Sequence, residues 1–335
     1  MTPLLEIKDV AKTFSIRNDA RLSLFRRELR RIHALDGVSF ALGAREVLGL
    51  VGESGSGKTT LARCLVRLLE PDSGRASFEG RDIFAATAAQ LRDLRRRMQL
   101  IYQDPYASLN PRLRVADAVA EPARVHGLID GRREQQSLVA SLLDAVGLAR
   151  TDARRYPREL SGGQRQRVAI ARSLAVQPSL LIADEPVSAL DASVQAQVLN
   201  LFGTLTRDRG LAMILISHQL AVIAQLAQRV AIMYLGRIVE IGPTADVFSN
   251  PKHPYTKLLL AAHPDVNAPH RGHSPALQGE IPSPDRIPDG CRFRSRCPLA
   301  EDICMRVDPP PVDVGGGHLS WCHVLPHQPH RAEAN

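Results

Sequence analysis

The chain has 335 residues, of which 44% are hydrophobic and 23% charged, so it can build a sizeable core and its length suggests two domains. No apolar run approaches the roughly 20 residues that a membrane span requires. The N-terminus lacks the pattern of a secretory signal, which predicts a cytoplasmic protein. The net charge of +8 would suit nucleic acid, anionic lipid or an acidic partner. The arginine-rich segment 21–31 carries a single aromatic residue, Phe25, which favours a solvated or lipid-facing insert over a base-stacking surface.

The first part of the chain predicts strands, a glycine loop and a helix. Residues 4–10 alternate like a strand, residues 38–42 form a second strand pattern, and residues 46–51 form a buried one. Residues 59–69 have helical periodicity. This strand–loop–helix order is the context in which a phosphate-binding loop functions.

The loop between that strand and helix reads Gly-Glu-Ser-Gly-Ser-Gly-Lys-Thr. Its glycines allow successive N–H groups to turn inward around phosphates. Lys58 is a point charge for the β- and γ-phosphates, and the Thr59 hydroxyl is placed to hold Mg²⁺. The predicted nucleotide-binding residues here are Gly52, Glu53, Ser54, Gly55, Ser56, Gly57, Lys58, Thr59 and Thr60.

The middle of the chain predicts a helical insertion in an α/β core. Residues 104–158 are rich in helical patterning, whereas residues 180–183 and 212–216 are short apolar strands. The α/β pattern fades after about residue 241. Residues 264–290 hold many Pro, His and Gly residues without a period and predict a linker or irregular lobe.

A second anion-binding element follows the helical segment, where residues 161–164 read Ser-Gly-Gly-Gln. Small residues at a helix start expose backbone N–H groups to an anion, and Ser161 adds a hydroxyl donor. We therefore assign Ser161, Gly162, Gly163 and Gln164 to nucleotide binding, in a site that a second polypeptide closes.

An acidic pair ends the apolar strand 180–183. Asp184 is placed to hold Mg²⁺ directly or through water. Adjacent strand residues point to opposite sides, so Glu185 needs a bend at the strand end to approach the attacking water. We assign Glu185 as the general base.

Together these motifs, in this order, resemble the ABC ATPases, the nucleotide-binding cassettes of ABC transporters, over roughly residues 4–250. The resemblance implies an ABC-type P-loop NTPase: a RecA-like α/β core, an antiparallel β subdomain and a helical subdomain at about residues 104–160. It also implies ATP and Mg²⁺ as ligands and a head-to-tail dimer, in which the glycine loop of one cassette faces Ser161–Gln164 of the other. The expected domains are residues 1–250 for the cassette and 251–335 for a small extension.

The resemblance assigns further residues by position. Gln103 fits the glutamine that senses Mg²⁺, Asp191 ends the loop that communicates across the dimer, and His218 fits the switch histidine that contacts the γ-phosphate. Phe14 lies where an aromatic residue usually stacks on adenine, although a Phe after a strand is as often part of the core.

The chain departs from the family pattern at two positions. Gln219 stands where the family often has Asp, which alters local support for His218. Arg45 stands where Gly is usual before Glu46, and we expect it to be a tolerated surface change. Neither departure removes a catalytic group, so we expect an active ATPase.

The C-terminal part resembles the extension of oligopeptide and dipeptide importer ATPases, a group with nickel-importer relatives. Cys291, Cys297, Cys304 and Cys322 have five, six and seventeen residues between them, which is not a zinc-ribbon spacing. Four thiolates could hold a [4Fe–4S] cluster. Zinc, with His318 or His323 as a substitute ligand, and four reduced structural cysteines are the alternatives.

The function expected from this resemblance is the ATP-hydrolysing, energy-coupling subunit of a membrane importer, with di- or oligopeptides as the leading solutes. Nickel or another small solute is the alternative, and a soluble ABC ATPase acting on nucleic acid is disfavoured because no coiled coil or second cassette is present. The expected partners are a second ATPase subunit, with a heterodimer favoured over a homodimer, two transmembrane permeases and, through them, an extracytoplasmic solute-binding protein, but no nucleic acid. The chain would lie peripherally on the cytoplasmic face of the inner or plasma membrane.

Residues 104–115 would dock a permease helix. Within this segment, Pro105, Tyr106 and Leu109 would either form an apolar contact surface for that helix or pack locally.

Overall fold

A computed structural model describes residues 2–17, 29–104, 108–262, 282, 285 and 287–325. The strands are β1 (Leu5–Arg17), β2 (Leu29–Leu42), β3 (Val47–Val51), β4 (Ser73–Phe78), β5 (Arg81–Asp82), β6 (Met98–Ile101), β7 (Leu180–Asp184), β8 (Ala212–Ile216), β9 (Arg229–Tyr234), β10 (Arg237–Pro243), β11 (Pro311–Asp313) and β12 (Leu319–Trp321). The α-helices are α1 (Lys58–Leu65), α2 (Ala88–Arg97), α3 (Val115–Val125), α4 (Arg132–Ala145), α5 (Gly162–Leu174), α6 (Ala192–Arg209), α7 (Leu220–Leu226), α8 (Thr244–Ser249) and α9 (Pro254–Ala261).

The central sheet has eight strands in the order β11-β12-β10-β9-β3-β8-β7-β6. Its middle, from β9 to β6, is parallel, and the strands from β10 outward are antiparallel. Every residue of β3, β7 and β8 is buried. Continuous apolar runs such as these are typical of parallel strands that are covered by other elements on both faces.

A second, antiparallel sheet has the order β2-β1-β4-β5. In β1 and β2, buried residues such as Leu5 and Ile7 are separated by more accessible ones. The buried side chains join a core shared with one face of the central sheet. Both long strands extend beyond their sequence-predicted ends, because they pair with each other from Leu5↔Leu42 to Arg17↔Leu29. Residues 29–31 of the arginine-rich segment therefore belong to β2, and residues 21–28 of it lie outside the described residues.

Helices α3, α4 and α5 pack together as a helical unit. Val119, Leu143 and Val168 are fully buried between them and belong to the core on the other face of the central sheet. Helices α3 and α4 lie within the predicted helical segment 104–158, whereas α5 lies beyond its end. The apolar faces of the three helices explain why they associate.

The C-terminal part of the chain continues the central sheet. The β11–β12 hairpin adds to the edge of β10 through the pairs Glu240↔Ser320 and Ile241↔Leu319. The hairpin thus covers the hydrogen-bonding edge that β10 would otherwise expose. The irregular segment that carries the first three cysteines packs beside it, with Phe293 in the core.

The fold class expected from the sequence is confirmed: a mixed α/β core with a parallel sheet, an antiparallel β sheet and a helical unit. The boundaries at residues 250 and 251 remain predictions. Among the residues with described structure, no helix has the length and apolar character needed to cross a membrane.

Candidate functional site

The sequence-predicted catalytic residues meet at one edge of the central sheet. Gln103 follows β6, Glu185 follows β7 and His218 follows β8. The glycine loop follows β3, which lies next to β8. Because the strands are parallel, their carboxyl ends open at the same edge, which is where α/β sheets bind ligands.

The glycine loop begins directly after β3 and ends at the first turn of α1. Gly57 caps α1 with φ +105°, and a Cβ there would lie 2.2 Å from the carbonyl oxygen of Ala34. A Cβ on Gly52 would lie 2.2 Å from the carbonyl oxygen of Met233. Both positions therefore need glycine. Gly57 needs it for its left-handed backbone and for the close approach of Ala34, whereas Gly52 needs it only for the close approach of Met233.

The Lys58 ammonium lies inside the loop. It donates hydrogen bonds to the carbonyl oxygens of Gly52 (2.7 Å) and Glu53 (2.9 Å) and to Ser56 Oγ (3.1 Å). Burial lowers the pKa of Lys58, whereas the nearby carboxylates of Glu185, Asp184 and Glu53 act to raise it. An ammonium that is buried among carbonyls and held by a glycine cradle is suited to an anionic phosphate.

Asp184 ends β7 and contacts the start of α1. Thr59 Oγ1 donates to Asp184 Oδ1 across 3.2 Å. Burial raises the pKa of Asp184, and the Thr59 hydrogen bond acts in the opposite direction. A hydroxyl and a buried carboxylate at this distance form the oxygen donor set that a hard divalent cation prefers.

Glu185 makes the bend that the sequence argument requires. Its φ is +47°, a left-handed conformation that is costly for a residue with a Cβ. Its N–H donates to the Ile216 carbonyl (3.0 Å), and Ser188 Oγ donates to its carbonyl (3.0 Å), so the bend is held on both sides. The carboxylate therefore leaves the sheet direction and joins the site.

Both oxygens of the Glu185 carboxylate have partners. Gln103 Nε2 donates to Oε2 across 2.9 Å, and His218 Nδ1 lies 3.3 Å from Oε1. His218 is half-exposed and the Glu185 side chain is 20% exposed. The three predicted catalytic side chains thus form one connected group at the mouth of the site.

One cleft brings together the three predicted catalytic residues and six residues of the glycine loop and the start of α1, whereas Gly52, Glu53, Ser56 and Asp184 are not in its lining. It is lined by Ile32, Ala34, Ser54, Gly55, Gly57, Lys58, Thr59, Thr60, Gln103, Glu185 and His218. Sequence reasoning missed Ile32 and Ala34. The signal for them is the two-residue spacing within β2, which places both side chains on one face.

Phe14 lies beside this cleft rather than in its lining. It is half-buried and pairs across the antiparallel sheet with Ile32, so the two side chains share a face. Lys12 Nζ lies 5.8 Å from the centre of its ring.

The Ser-Gly-Gly-Gln segment lies elsewhere, since none of its residues lines the cleft of the same chain. Ser161 caps α5: its Oγ accepts from the Gln164 N–H (3.2 Å), and Gln164 Oε1 accepts from the Ser161 N–H (3.0 Å). A Cβ on Gly163 would lie 2.2 Å from Val194 Cγ1, so α5 packs closely on α6. A Cβ on Gly162 would make only an ordinary van der Waals contact, 3.6 Å from Leu190 Cδ2.

Asp191 is the N-cap of α6 and accepts a 2.9 Å hydrogen bond from the Val194 N–H. That bond, together with one from the Ser193 hydroxyl, lowers the pKa of the Asp191 carboxyl. The start of α6 is therefore a stable, charged cap beside the α5 start.

The two departures from the family pattern have distinct surroundings. Gln219 Oε1 accepts a 2.9 Å hydrogen bond from Gln195 Nε2 of α6, so the residue after His218 is tied to that helix. Arg45 is exposed but has φ +62°, the conformation that favours glycine.

The iron–sulfur prediction is wrong. Across residues 287–325, which include all four cysteines, and the rest of the described chain, no three His, Cys, Asp or Glu side chains are grouped so as to hold a metal ion. All four cysteines are free. Burial raises the pKa of Cys291 to about 11 and also raises the pKa values of Cys297 and Cys322. These thiols are therefore protonated at neutral pH, as buried structural cysteines are.

The zinc alternative has no support either. His318 Nε2 lies 2.7 Å from the buried Glu240 carboxylate, and His323 Nε2 lies 2.9 Å from the Val307 carbonyl. Both histidines therefore have hydrogen-bond partners other than the thiols. Cys291 and Cys297 pack against the hydrophobic core, as expected for structural cysteines.

The expected permease-docking segment is only partly described. Leu109 is 3% exposed and belongs to the core, so it packs locally and is not part of an apolar contact surface. Pro105 and Tyr106 lie outside the described residues.

A glycine loop between a parallel strand and a helix, with carboxylates at the neighbouring strand ends, defines a P-loop nucleotide-binding protein. Residues 35–188 match the family described as ABC transporter, and residues 239–304 match the family described as oligopeptide/dipeptide transporter, C-terminal region. The chain is 48% identical to the probable peptide ABC transporter ATP-binding protein y4tS of Sinorhizobium fredii, over 96% of this chain and 90% of that one. It is 44% identical to the oligopeptide transport ATP-binding protein AppF of Bacillus subtilis, over 96% and 97%.

Solved structures agree with this assignment. The dimeric, post-hydrolysis structure of the ATP-binding cassette MJ0796, bound to ADP and Pi, matches with a TM-score of 0.63 and 25% identity, covering 72% of this chain and 98% of that one. The fold of cbiO1 from Clostridium perfringens matches with a TM-score of 0.62, covering 75% and 92%. The chain belongs to the ATP-binding subunits of ABC transporters, ATPases that act on ATP with Mg²⁺ and work with membrane permeases. The resemblance stated from the motifs is thereby confirmed.

Proposed function

We propose that this chain is the ATP-hydrolysing subunit of an ABC importer for di- or oligopeptides. The observation that carries the proposal is the combination of a connected nucleotide site with a C-terminal region that matches oligopeptide and dipeptide transporters over residues 239–304. Relatives named for peptide or oligopeptide transport match nearly the whole chain. Import of nickel and action on nucleic acid have no comparable support.

In the proposed site the loop residues from Gly52 to Thr60 cradle the phosphates, and Lys58 exchanges its carbonyl partners for phosphate oxygens. Thr59, Asp184 and Gln103 would hold Mg²⁺, whose charge would offset that of the phosphates when it is bound. Phe14, on the same face as Ile32, is suited to stack on the adenine at the edge of the cleft.

Glu185 is the proposed general base. Its carboxylate is oriented by Gln103 and His218 and is mostly shielded from solvent, so a water beside it could transfer a proton to a fixed acceptor. His218 lines the same cleft and is placed to contact the terminal phosphate. The strained backbone of Glu185 supports a functional role, because such strain is usually retained where position matters.

The second half of the site comes from another ATPase subunit. Ser161, Gly162, Gly163 and Gln164, with Asp191 nearby, would face the phosphates of that partner, since they lie outside the cleft of their own chain. We propose a heterodimer with a related subunit, located peripherally on the cytoplasmic face of the membrane. An extracytoplasmic binding protein would deliver the solute to the permeases.

The experiment is uptake of labelled di- and oligopeptides by cells that carry either the wild-type chain or Glu185→Gln as the sole copy. We expect uptake with the wild type and its loss with Glu185→Gln. Purified Glu185→Gln must bind ATP normally, which separates loss of turnover from loss of folding. If peptide uptake persists with the inactive variant, the peptide assignment is wrong, and labelled nickel is the next solute to test.

A further inference from the structure

Two side chains from the C-terminal part of the protein contact the phosphate loop. Arg296 lies in the cysteine-bearing segment and Tyr255 lies in α9, far along the chain from the loop. Both contact the same loop residue, Glu53. The extension is therefore attached to the nucleotide site itself as well as to the edge of the sheet.

Glu53 is held at three separate points. Its carboxylate accepts two hydrogen bonds from Arg296, with Nη1–Oε2 at 2.9 Å and Nη2–Oε1 at 3.1 Å. Its N–H donates to Tyr255 Oη across 3.0 Å, and its carbonyl accepts from Lys58 Nζ across 2.9 Å. Side chain, donor and acceptor all have partners, so the position of Glu53 is set from outside the loop as well as from within it.

Arg296 is itself fixed in place. Its side chain is 3% exposed, and its guanidinium carbon lies 5.9 Å from the ring centres of both Tyr234 and Phe293. The Tyr234, Tyr255 and Phe293 rings pack on one another with centres 4.7 to 5.5 Å apart. A bidentate pair whose arginine is enclosed by rings has a defined geometry and little access to water.

These contacts bear directly on Lys58. The Lys58 ammonium is held by the Gly52 and Glu53 carbonyls, and it must face the phosphates when ATP binds. Displacement of the Glu53 backbone would therefore move both a carbonyl that orients Lys58 and the N–H groups that follow it in the loop.

We propose that Arg296 and Tyr255 are positioning residues for ATP binding: through Glu53 they hold the phosphate loop in the conformation that accepts the nucleotide. The proposal rests on the ATPase function proposed above. It gives the C-terminal extension a role in nucleotide affinity that its sequence motifs do not indicate.

The chain offers a matched control for simple attachment of the extension. Arg292 is also buried and also joins the extension to the core, through hydrogen bonds to Asp36 and to the Leu235 carbonyl. It makes no hydrogen bond with the phosphate loop among the described contacts. Arg292→Gln should loosen the extension without releasing Glu53.

The test measures the dissociation constant of ATP with Mg²⁺ by calorimetry on the full chain, together with the melting temperature of each variant. We expect Arg296→Gln to weaken ATP binding about tenfold, because it loses charged hydrogen bonds to Glu53. We expect Tyr255→Phe to weaken it about threefold, because it loses one neutral hydrogen bond. Arg292→Gln should stay within about twofold of wild type while lowering the melting temperature about as much as Arg296→Gln. Arg296→Lys should restore part of the affinity, because it keeps the charge but loses the fork.

Wild-type ATP affinity in both Arg296→Gln and Tyr255→Phe would overturn the inference while leaving the ATPase function intact. Equal weakening by Arg292→Gln and Arg296→Gln would also overturn it, since attachment alone would then explain the effect. If Arg296→Gln does not fold, Tyr255→Phe still decides, because it removes one oxygen and keeps the ring packing. A wild-type chain that binds no ATP would refute the proposed function itself.

Discussion

The nucleotide site and the cysteine-bearing extension both bury ionisable groups, but they differ in the charges and hydrogen-bond partners that surround those groups. In the nucleotide site, burial lowers the pKa of Lys58 and raises that of Asp184, and each has opposite charges or hydrogen-bond partners nearby. In the extension, the pKa of Cys291 is raised to about 11, chiefly by burial and to a smaller degree by the neighbouring cysteines. Burial becomes useful for binding a charged ligand only where counter-charges and donors converge with it.

Arg296 shows that the two regions are nonetheless connected. Its pair with Glu53 places an extension side chain against the phosphate loop, while the thiols a few residues away pack as hydrophobic groups. Within the described residues, the extension therefore contributes a charged, hydrogen-bonded contact to the site.

The largest expected effect lies in the nucleotide site. Glu185→Gln should reduce the rate of ATP hydrolysis by about 10²–10⁴-fold, because it removes the proposed proton acceptor. Steady-state phosphate release would measure it, with ATP affinity as the control. Turnover near that of the wild type would remove Glu185 from this role.

The second prediction concerns acid sensitivity in the C-terminal region. His253 at the start of α9 is buried, which lowers its pKa from 6.5 to about 3. The unfolded chain therefore binds a proton that the folded chain resists, so stability falls as pH drops below 6.5. We expect about 2 kcal/mol of the free energy of unfolding to be lost between pH 7.5 and pH 5.

Urea unfolding of the wild type and of His253→Gln at both pH values would measure this loss. The variant keeps a polar side chain but cannot titrate, so its stability should change less with pH. Equal pH dependence of the two proteins would contradict the assignment to His253.

The third prediction tests whether a cysteine of the extension acts only through packing. Cys304 is 5% exposed, so Cys304→Ala should lower the free energy of unfolding by about 1 kcal/mol and leave ATP hydrolysis unchanged. Cys64→Ala, at a fully buried position in α1, is the matched control beside the phosphate loop. A large loss of ATP hydrolysis in a fully folded Cys304→Ala variant would show that Cys304 does not act only through packing.

The smallest effect is expected at Arg45, before β3. Its φ of +62° favours glycine, so Arg45→Gly relieves backbone strain in the folded chain. Glycine also gives the unfolded chain more conformational entropy, which offsets part of this gain. We expect a net rise of about 0.5 kcal/mol in the free energy of unfolding. Thermal unfolding would detect the change, and Arg45→Ala, which keeps a Cβ, should show no gain.

Motifs whose chemistry is local could be predicted well. The Lys58 loop and the Asp184–Glu185 pair each depend on a short stretch of sequence, and the structure places both at the strand ends where they were expected. The helical unit extends beyond its predicted segment, because α5 also packs in it. The prediction of an iron–sulfur cluster failed for the opposite reason. Spacing along the chain does not determine how the thiols are grouped or how readily they ionise, because the grouping and the ionisation depend on the residues that pack around them.

Ile32 and Ala34 could not be found from motifs, because their place in the cleft depends on how β2 lies over the glycine loop. A bend at Glu185 was expected from the sequence, but its left-handed conformation is held by the tertiary structure, in part through a hydrogen bond from its N–H to the Ile216 carbonyl on the next strand.

The sequence by itself determined the class of the protein, the phosphate loop and the strand-end carboxylate that we propose as the general base, because glycine, lysine and acidic residues at these spacings have few other uses. Only the tertiary structure decided that the extension completes the sheet edge and holds Glu53 through Arg296 and Tyr255. Those contacts join residues about 200 or more positions apart, as in the Glu53–Tyr255 separation of 202 and the Glu53–Arg296 separation of 243. Pairings at such distances are set by packing of the whole chain, which no local pattern encodes.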